Sequence, residues 1–187
     1  MNKRTIIVIL SVVAACVIGY AAYWFSTQAH RTLRNQLKEM QGKKVNLNFA
    51  HGEVFLNGHD TVLADKSRRT LVLFVDSMSC SSCFLNHMMV YYDINDSITE
   101  AGGRIVVVLH PKDGRDAEIR HKVRIEKYPF WCVIDKEGEF IGNNPDLPDN
   151  KLLHSFTLYE DDRIMLVGDP TFNPKIKDLF MRGINEI

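Results

Sequence analysis

From Ile6 to Phe25 the chain carries no charged residue, and as a helix that length covers the ~30 Å hydrocarbon core of a bilayer. In lipid such a stretch must satisfy its own backbone hydrogen bonds, which leaves a helix as the form it can take. Met1-Asn2-Lys3-Arg4 supplies a short basic start, and Tyr20, Tyr23 and Trp24 gather near the far end, where amphipathic rings favour the membrane interface. Residues 1–26 are therefore expected to form an uncleaved signal anchor, a single-pass transmembrane helix. A short basic start leading straight into an apolar run is how exported chains begin, so the remainder is expected outside the cytoplasm, facing the periplasm from a bacterial inner membrane. Arg31, Arg34, Lys38, Lys43 and Lys44 on the other flank run against that orientation by the positive-inside count.

A second way onto the membrane lies in Val13-Ala14-Ala15-Cys16, which resembles a bacterial lipobox and would make Cys16 the lipidated N-terminus of a lipoprotein. The continued apolar run from Val17 to Phe25, where a lipoprotein carries a polar tether, favours the spanning helix. Residues 27–44 then read as a helical spacer: Leu33, Leu37 and Met40 recur at helical spacing among polar residues, and Gly42 is a stop signal.

Residues 45–187 remain to build one domain. Over the whole chain, hydrophobic residues at 45% and charged residues at 25% are ordinary for a globular protein, and Lys plus Arg balances Asp plus Glu at 23 each. With no net field and no basic helix interleaved with aromatics, nucleic acid is not an expected partner. Val45 to Phe49 alternates with period two, and Val54-Phe55-Leu56 and Thr61-Val62-Leu63 flank Asn57-Gly58, so a strand and a hairpin are expected at the start of the domain. Thr70 to Val75 and Ile105 to Leu109 are continuous apolar runs suited to strands buried on both faces of a sheet, with a helix from Phe84 to Thr99 between them and a break at Gly102-Gly103. That is a right-handed βαβ unit. Asp113 to Lys127 reads as a charged helix, Phe130 to Ile134 as a third strand, Ser155–Tyr159 and Arg163–Val167 as a hairpin, and Pro174 to Arg182 as a closing helix with Ile176, Leu179 and Phe180 on one face.

The chemistry sits in Cys80-Ser81-Ser82-Cys83, between a buried strand and a helix. Zinc sites share this spacing, but a structural zinc normally takes a second such pair, and the chain has none. At a helix start, unpaired N–H groups and the helix dipole stabilise a thiolate, so Cys80 is expected to be exposed and nucleophilic. Cys83, one turn inside, would attack the mixed disulfide formed at Cys80 and release the partner. Cys132, within Phe130 to Ile134, reads as a buried core residue.

Strand Leu71 to Val75, the dithiol, the βαβ unit and the final ββα together resemble the thioredoxin superfamily over about Val45 to Ile187. Tyr128-Pro129-Phe130 through Phe140, and the hairpin from His154 to Gly168, are similar to the TlpA/ResA and peroxiredoxin-like branch, which includes many membrane-anchored extracytoplasmic thiol-disulfide oxidoreductases. The resemblance implies an α/β three-layer fold with a central mixed sheet. It implies an enzyme exchanging disulfides with protein thiols, needing no cofactor, and re-poised by an upstream electron donor. It also implies that the residue opening the last hairpin faces the dithiol. That residue is His154 where relatives carry a cis-proline, with Pro129 as the other candidate for the proline's place.

Other departures concern proton handling and metal. Phe74 stands six residues before Cys80, where thioredoxins place a buried acid that takes the proton of the second thiol; Asp76 could substitute for it, but is expected to be an exposed strand-end residue. Sco-type copper proteins, which share the fold, carry a histidine near the proline's place. A copper carrier using Cys80, Cys83 and His154, with Met78, His87, Met88 and Met89 nearby, is therefore the alternative function, since soft sulfur with imidazole suits Cu(I). A non-catalytic interaction module with a merely structural disulfide is the second alternative.

Overall fold

The computed structural model describes residues 3–63, 66–112 and 114–185, with the side chains from residue 12 onward in its first helix. Two compact units emerge, Met1–Glu39 and Met40–Ile187. The first is carried by helix α1, Lys3–Met40, which runs without a break. The anchor and spacer expected as two helices thus share one. The segment Val12–Met40 is apolar enough and long enough to be a candidate membrane span, and none of its most apolar window is buried within the protein.

The second unit is built on a seven-stranded sheet in the order β2-β1-β5-β4-β3-β6-β7. Strands β3 (Arg69–Val75), β4 (Arg104–Leu109) and β5 (Trp131–Ile134) form its parallel centre. β1 (Glu53–Leu56) and β2 (His59–Thr61) add antiparallel strands on one side, and β6 (Ser155–Tyr159) with β7 (Ile164–Val167) on the other. β3 and β4 are apolar on both faces because both faces are covered. Leu71, Leu73, Val75, Ile105, Val107 and Leu109 join one cluster with side chains of α2 (Ser81–Asn86), α3 (Tyr92–Glu100), α4 (Asp116–Glu126) and α6 (Pro174–Asn185). On the alternate positions, Phe74 packs on Phe140 of α5 (Glu139–Asn143), and Phe140 on Phe49.

The first hairpin turns at Asn57 and Gly58, both at positive φ, as a two-residue turn that matches strand twist requires. A Cβ at Gly58 would lie 2.5 Å from the Arg124 carbonyl oxygen, so this position demands glycine. The returning strand is His59–Thr61, earlier than the apolar Thr61-Val62-Leu63, and Val62 is exposed.

Three expectations need correction. Val45 to Phe49 is extended but pairs with no strand: Asn144 accepts from the Asn46 N–H at 2.7 Å and donates to the Asn46 carbonyl at 2.9 Å, replacing a ladder. The alternation still foretold the facing, with Val45 buried and Asn46 and Asn48 exposed. The helix expected over Phe84 to Thr99 starts at Ser81 and is broken by a 3₁₀ turn, Met88–Tyr91. In that turn residues three apart eclipse, so Met88 and Tyr91 both enter the core while Met89 and Val90 stay exposed. In α6 the buried positions are Phe180 and Ile184, and Leu179 is on the outer side.

Candidate active site: a dithiol at the sheet's carboxyl edge

Strand β3 ends at Val75, and Asp76 to Ser79 turn the chain into α2. Cys80 is the N-cap: its backbone is extended (φ −83°, ψ 95°), its sulfur accepts from the Cys83 N–H at 3.2 Å, and its carbonyl accepts from the Phe84 N–H at 2.9 Å. A sulfur there receives one of the N–H groups that a helix start leaves without an intrahelical partner. Cys80 and Cys83 form a disulfide with their Cα atoms 5.2 Å apart. Cys80 is exposed as expected, and so is Cys83, so exposure alone does not separate them. Only the cap position distinguishes them. Cys132 is buried without a disulfide partner, and desolvation pushes its thiol up to about 12, as a core residue requires.

His154 directly precedes β6. The Phe74 N–H donates to its carbonyl at 2.9 Å, extending the β3–β6 pairing by a step toward the cysteines, and the two rings lie 5.0 Å apart. Because β6 runs antiparallel to β3, its start lies at the carboxyl edge of the parallel strands, where the cysteine-bearing turn also begins. Pro129 precedes β5, which is parallel to β4 and enters the sheet at the opposite edge. The described residues contain no cis peptide bond.

The imidazole of His154 is half-buried, and burial lowers its pKa below the ordinary value despite the opposing pull of Asp76 and a hydrogen bond with the Pro148 carbonyl. Its Nε2 is buried and has no hydrogen-bond partner among the described residues. A histidine kept neutral by the fold binds fewer protons folded than unfolded, so it lowers stability as pH falls below the unfolded value of ~6.5. Unfolding free energy measured from pH 5 to 8 should therefore rise more steeply with pH in the wild type than in His154→Gln. Equal slopes would show that this ring does not titrate differently on folding.

Two hollows flank the turn. One, about 870 Å³, lies on the α4 side of Cys80 and is lined by Ser81, His110, Lys112 and Arg115. The other, about 510 Å³, is a more apolar groove between Ser79, Phe84, Leu152, His154 and Phe172, of which Leu152 and Phe172 are strongly exposed. Ser82 donates to Glu118 at 2.6 Å, tying α2 to α4. Asp76 corrects its expectation: its side chain is only 19% exposed and is held by Ser79 and Lys151. Sequence reading missed Lys151 and His110, which reach the site only through the fold; three-residue spacing from Asp76 to Ser79 after a strand was the available signal for the turn. His87 is exposed, Met88 is core, and Met78 and Met89 face solvent. Among the described residues no group of three His, Cys, Asp or Glu side chains is gathered for a metal, so the copper reading gains no support from geometry.

A mixed sheet with this strand order, a dithiol at the N-cap of the helix after its central strand, and a closing ββα define a thioredoxin-like fold. Solved structures agree. The thioredoxin domain of a thiol-disulfide oxidoreductase from Bacteroides vulgatus superposes with a TM-score of 0.50 at 14% identity, over 75% of this chain and 97% of that one. A thioredoxin-like protein in its oxidised form gives 0.52 at 13% identity, over 77% and 97%. A thiol:disulfide interchange protein from Bacteroides sp. gives 0.50 at 15% identity, over 78% and 93%. No family model matches the chain, and no curated protein does.

Proposed function

We propose that this chain is a membrane-anchored, extracytoplasmic thiol-disulfide oxidoreductase acting on protein thiols through Cys80 and Cys83. Residues 1–26 serve as anchor, 27–44 as spacer and 45–187 as the redox domain. The observation that carries this reading is the exposed disulfide at the N-cap of α2, with Cys80 lining a hollow at the carboxyl edge of the sheet. In the reducing direction, the Cys80 thiolate attacks a client disulfide, forming a mixed disulfide and expelling one client thiolate. Cys83 then attacks the Cys80 sulfur, the second client thiolate leaves, and the Cys80–Cys83 disulfide remains; an upstream dithiol must return two electrons. The oxidising direction reverses these steps. His154, whose buried Nε2 has no hydrogen-bond partner among the described residues and whose pKa is lowered by burial, supports a role as acceptor for a thiol proton.

The test is a redox titration of the full chain in detergent against glutathione buffers, with thiols read by mass-shift alkylation. A reversible two-electron transition of the Cys80–Cys83 pair in the range of exchange-active dithiols is expected. A potential below about −300 mV would instead mark a structural disulfide and overturn the proposal.

A further inference from the structure

Three side chains outside the exchange steps bind the loop before Cys80 to the turn before His154. Lys151 opens a 3₁₀ turn, Lys151–Leu153, and reaches across to the cysteine loop. Its Nζ donates to Ser79 Oγ at 3.1 Å and lies 3.3 Å from Asp76 Oδ1. Ser79 Oγ in turn donates to Asp76 Oδ1 at 2.7 Å, and the Ser79 N–H to the Asp76 carbonyl at 3.0 Å. One carboxylate and one ammonium are thus held together on the residue that immediately precedes Cys80. Burial works to raise the Asp76 pKa, but the Ser79 hydroxyl and the Lys151 ammonium outweigh it and keep the carboxylate ionised. The sequence offers no hint of this pairing, because Asp76 and Lys151 are far apart along the chain.

We propose that Asp76 and Lys151 are positioning residues that set the redox poise of the Cys80–Cys83 dithiol, as an opposed charge pair whose two fields cancel at Cys80. The inference rests on the dithiol being exchange-active. With Lys151 gone, the Asp76 carboxylate stands uncompensated beside the cysteine loop and disfavours a thiolate at Cys80. With Asp76 gone, the Lys151 ammonium stands alone and favours it. Stabilising the thiolate stabilises the reduced dithiol and makes the disulfide more oxidising. The two substitutions therefore act in opposite directions. A clamp of purely structural value would give one direction for both, because each substitution opens the same turn. The other charged groups around the site are His110, Lys112 and Arg115 in one hollow, Glu118 through Ser82, and Asp169 and His154 in the groove; of these His154 feels both Asp76, which favours its protonation, and Lys151, which opposes it, so its response runs against the direct effect of each charge on Cys80.

The experiment uses the full chain in detergent and two readouts. One is the pH profile of Cys80 alkylation by iodoacetamide in the reduced protein, resolved from Cys16 and Cys132 by peptide mass and from Cys83 by fragment-ion sequencing of the peptide the two share. The other is the equilibrium constant with glutathione. Asp76→Asn should raise the Cys80 thiolate fraction at neutral pH by about three- to tenfold, and Lys151→Met should lower it by a similar factor, as one uncompensated charge at a partly exposed site does. Lys151→Arg should restore the wild-type profile. The double variant Asp76→Asn/Lys151→Met should return to within about twofold of it, because no charge is then left uncompensated. Shifts of the same sign in both single variants, or no shift in either, would overturn the charge-pair assignment. Opposite shifts in a protein that exchanges with no client would sink the proposed function and leave this one standing; same-sign shifts in an active protein would do the reverse.

Discussion

Replacing Cys80 by Ser should lower the rate of disulfide exchange by at least about a thousandfold, while Cys83→Ser should keep the first attack and accumulate a mixed disulfide with the client. Exposure does not separate the two sulfurs, since both face solvent. The separation comes from the cap. Cys80 precedes the first turn of α2, where its sulfur accepts the Cys83 N–H at 3.2 Å and the helix dipole adds to the stabilisation of a negative charge. Cys83 has helical backbone and its own N–H is directed at Cys80, so it gains no such contact from the helix start. A thiolate at Cys80 is therefore the attacker, and Cys83, held next to it, is the resolving thiol. Removing the attacker leaves the other sulfur at an ordinary thiol's disadvantage. Removing the resolver leaves a covalent intermediate that only an external thiol can clear. Non-reducing electrophoresis of the two variants expressed in cells, with stopped-flow exchange against a peptide disulfide, separates the roles. If Cys83→Ser lost the rate and Cys80→Ser trapped the client, the order of attack would be the opposite one.

The parts of the molecule most legible in the sequence were those whose burial is symmetric or whose turn chemistry is local. β3 and β4 announced themselves as unbroken apolar runs because both faces of each are covered, and Asn57-Gly58 announced a hairpin because both positions need positive φ. Cys80-x-x-Cys83 after such a strand located the reactive turn. What pattern alone could not show depends on distant partners. Val45 to Phe49 has a strand's alternation, yet a side chain, Asn144, answers its backbone where a strand would have. The helix after the dithiol breaks at His87 because Met88 and Tyr91 must both reach the core, a demand set by the sheet beneath them. Asp76 read as a surface acid because one of its two partners, Lys151, comes from a distant turn that the pairing of β6 with β3 brings beside it, while the nearby Ser79 alone does not bury it. His154 lies at the carboxyl edge of the parallel strands because it directly precedes β6, which runs antiparallel to β3. Its buried, unpartnered Nε2 follows from packing against Phe74 and from the Pro148 carbonyl, neither of which a sequence pattern encodes.

Deleting residues 1–26 should move the protein from the membrane pellet to the soluble fraction essentially completely. The helix Lys3–Met40 includes a segment without charge from Ile6 to Phe25, and the apolar side chains described there, Val12, Val13, Val17, Ile18 and Phe25 among them, are exposed. Exposed aliphatic and aromatic side chains in such density are costly in water and favourable in hydrocarbon, by about 25 cal/mol for each Å² of apolar surface transferred. Summed over a spanning segment, that outweighs any surface association of the remaining chain, whose 21 Lys and Arg against 23 Asp and Glu leave no basic excess for an anionic surface. Because α1 continues unbroken through Cys16, the same helix that would carry a lipidated cysteine also supplies the length for a span. The two modes give different outcomes. A spanning anchor keeps residues 1–15 on the mature chain and takes up no radiolabelled fatty acid, and a Cys16→Ser variant should remain in the pellet. Alkaline phosphatase fused after Ile187 should then be active and a cytoplasm-only fluorescent protein at the same point dark, since the short basic start Lys3-Arg4 stays inside. Label on Cys16 with loss of residues 1–15 would replace the span by a lipid anchor. An active fluorescent fusion with silent phosphatase would instead place the dithiol in the cytoplasm, where glutathione and thioredoxin hold thiols reduced and an oxidising role for Cys80 and Cys83 has no foothold.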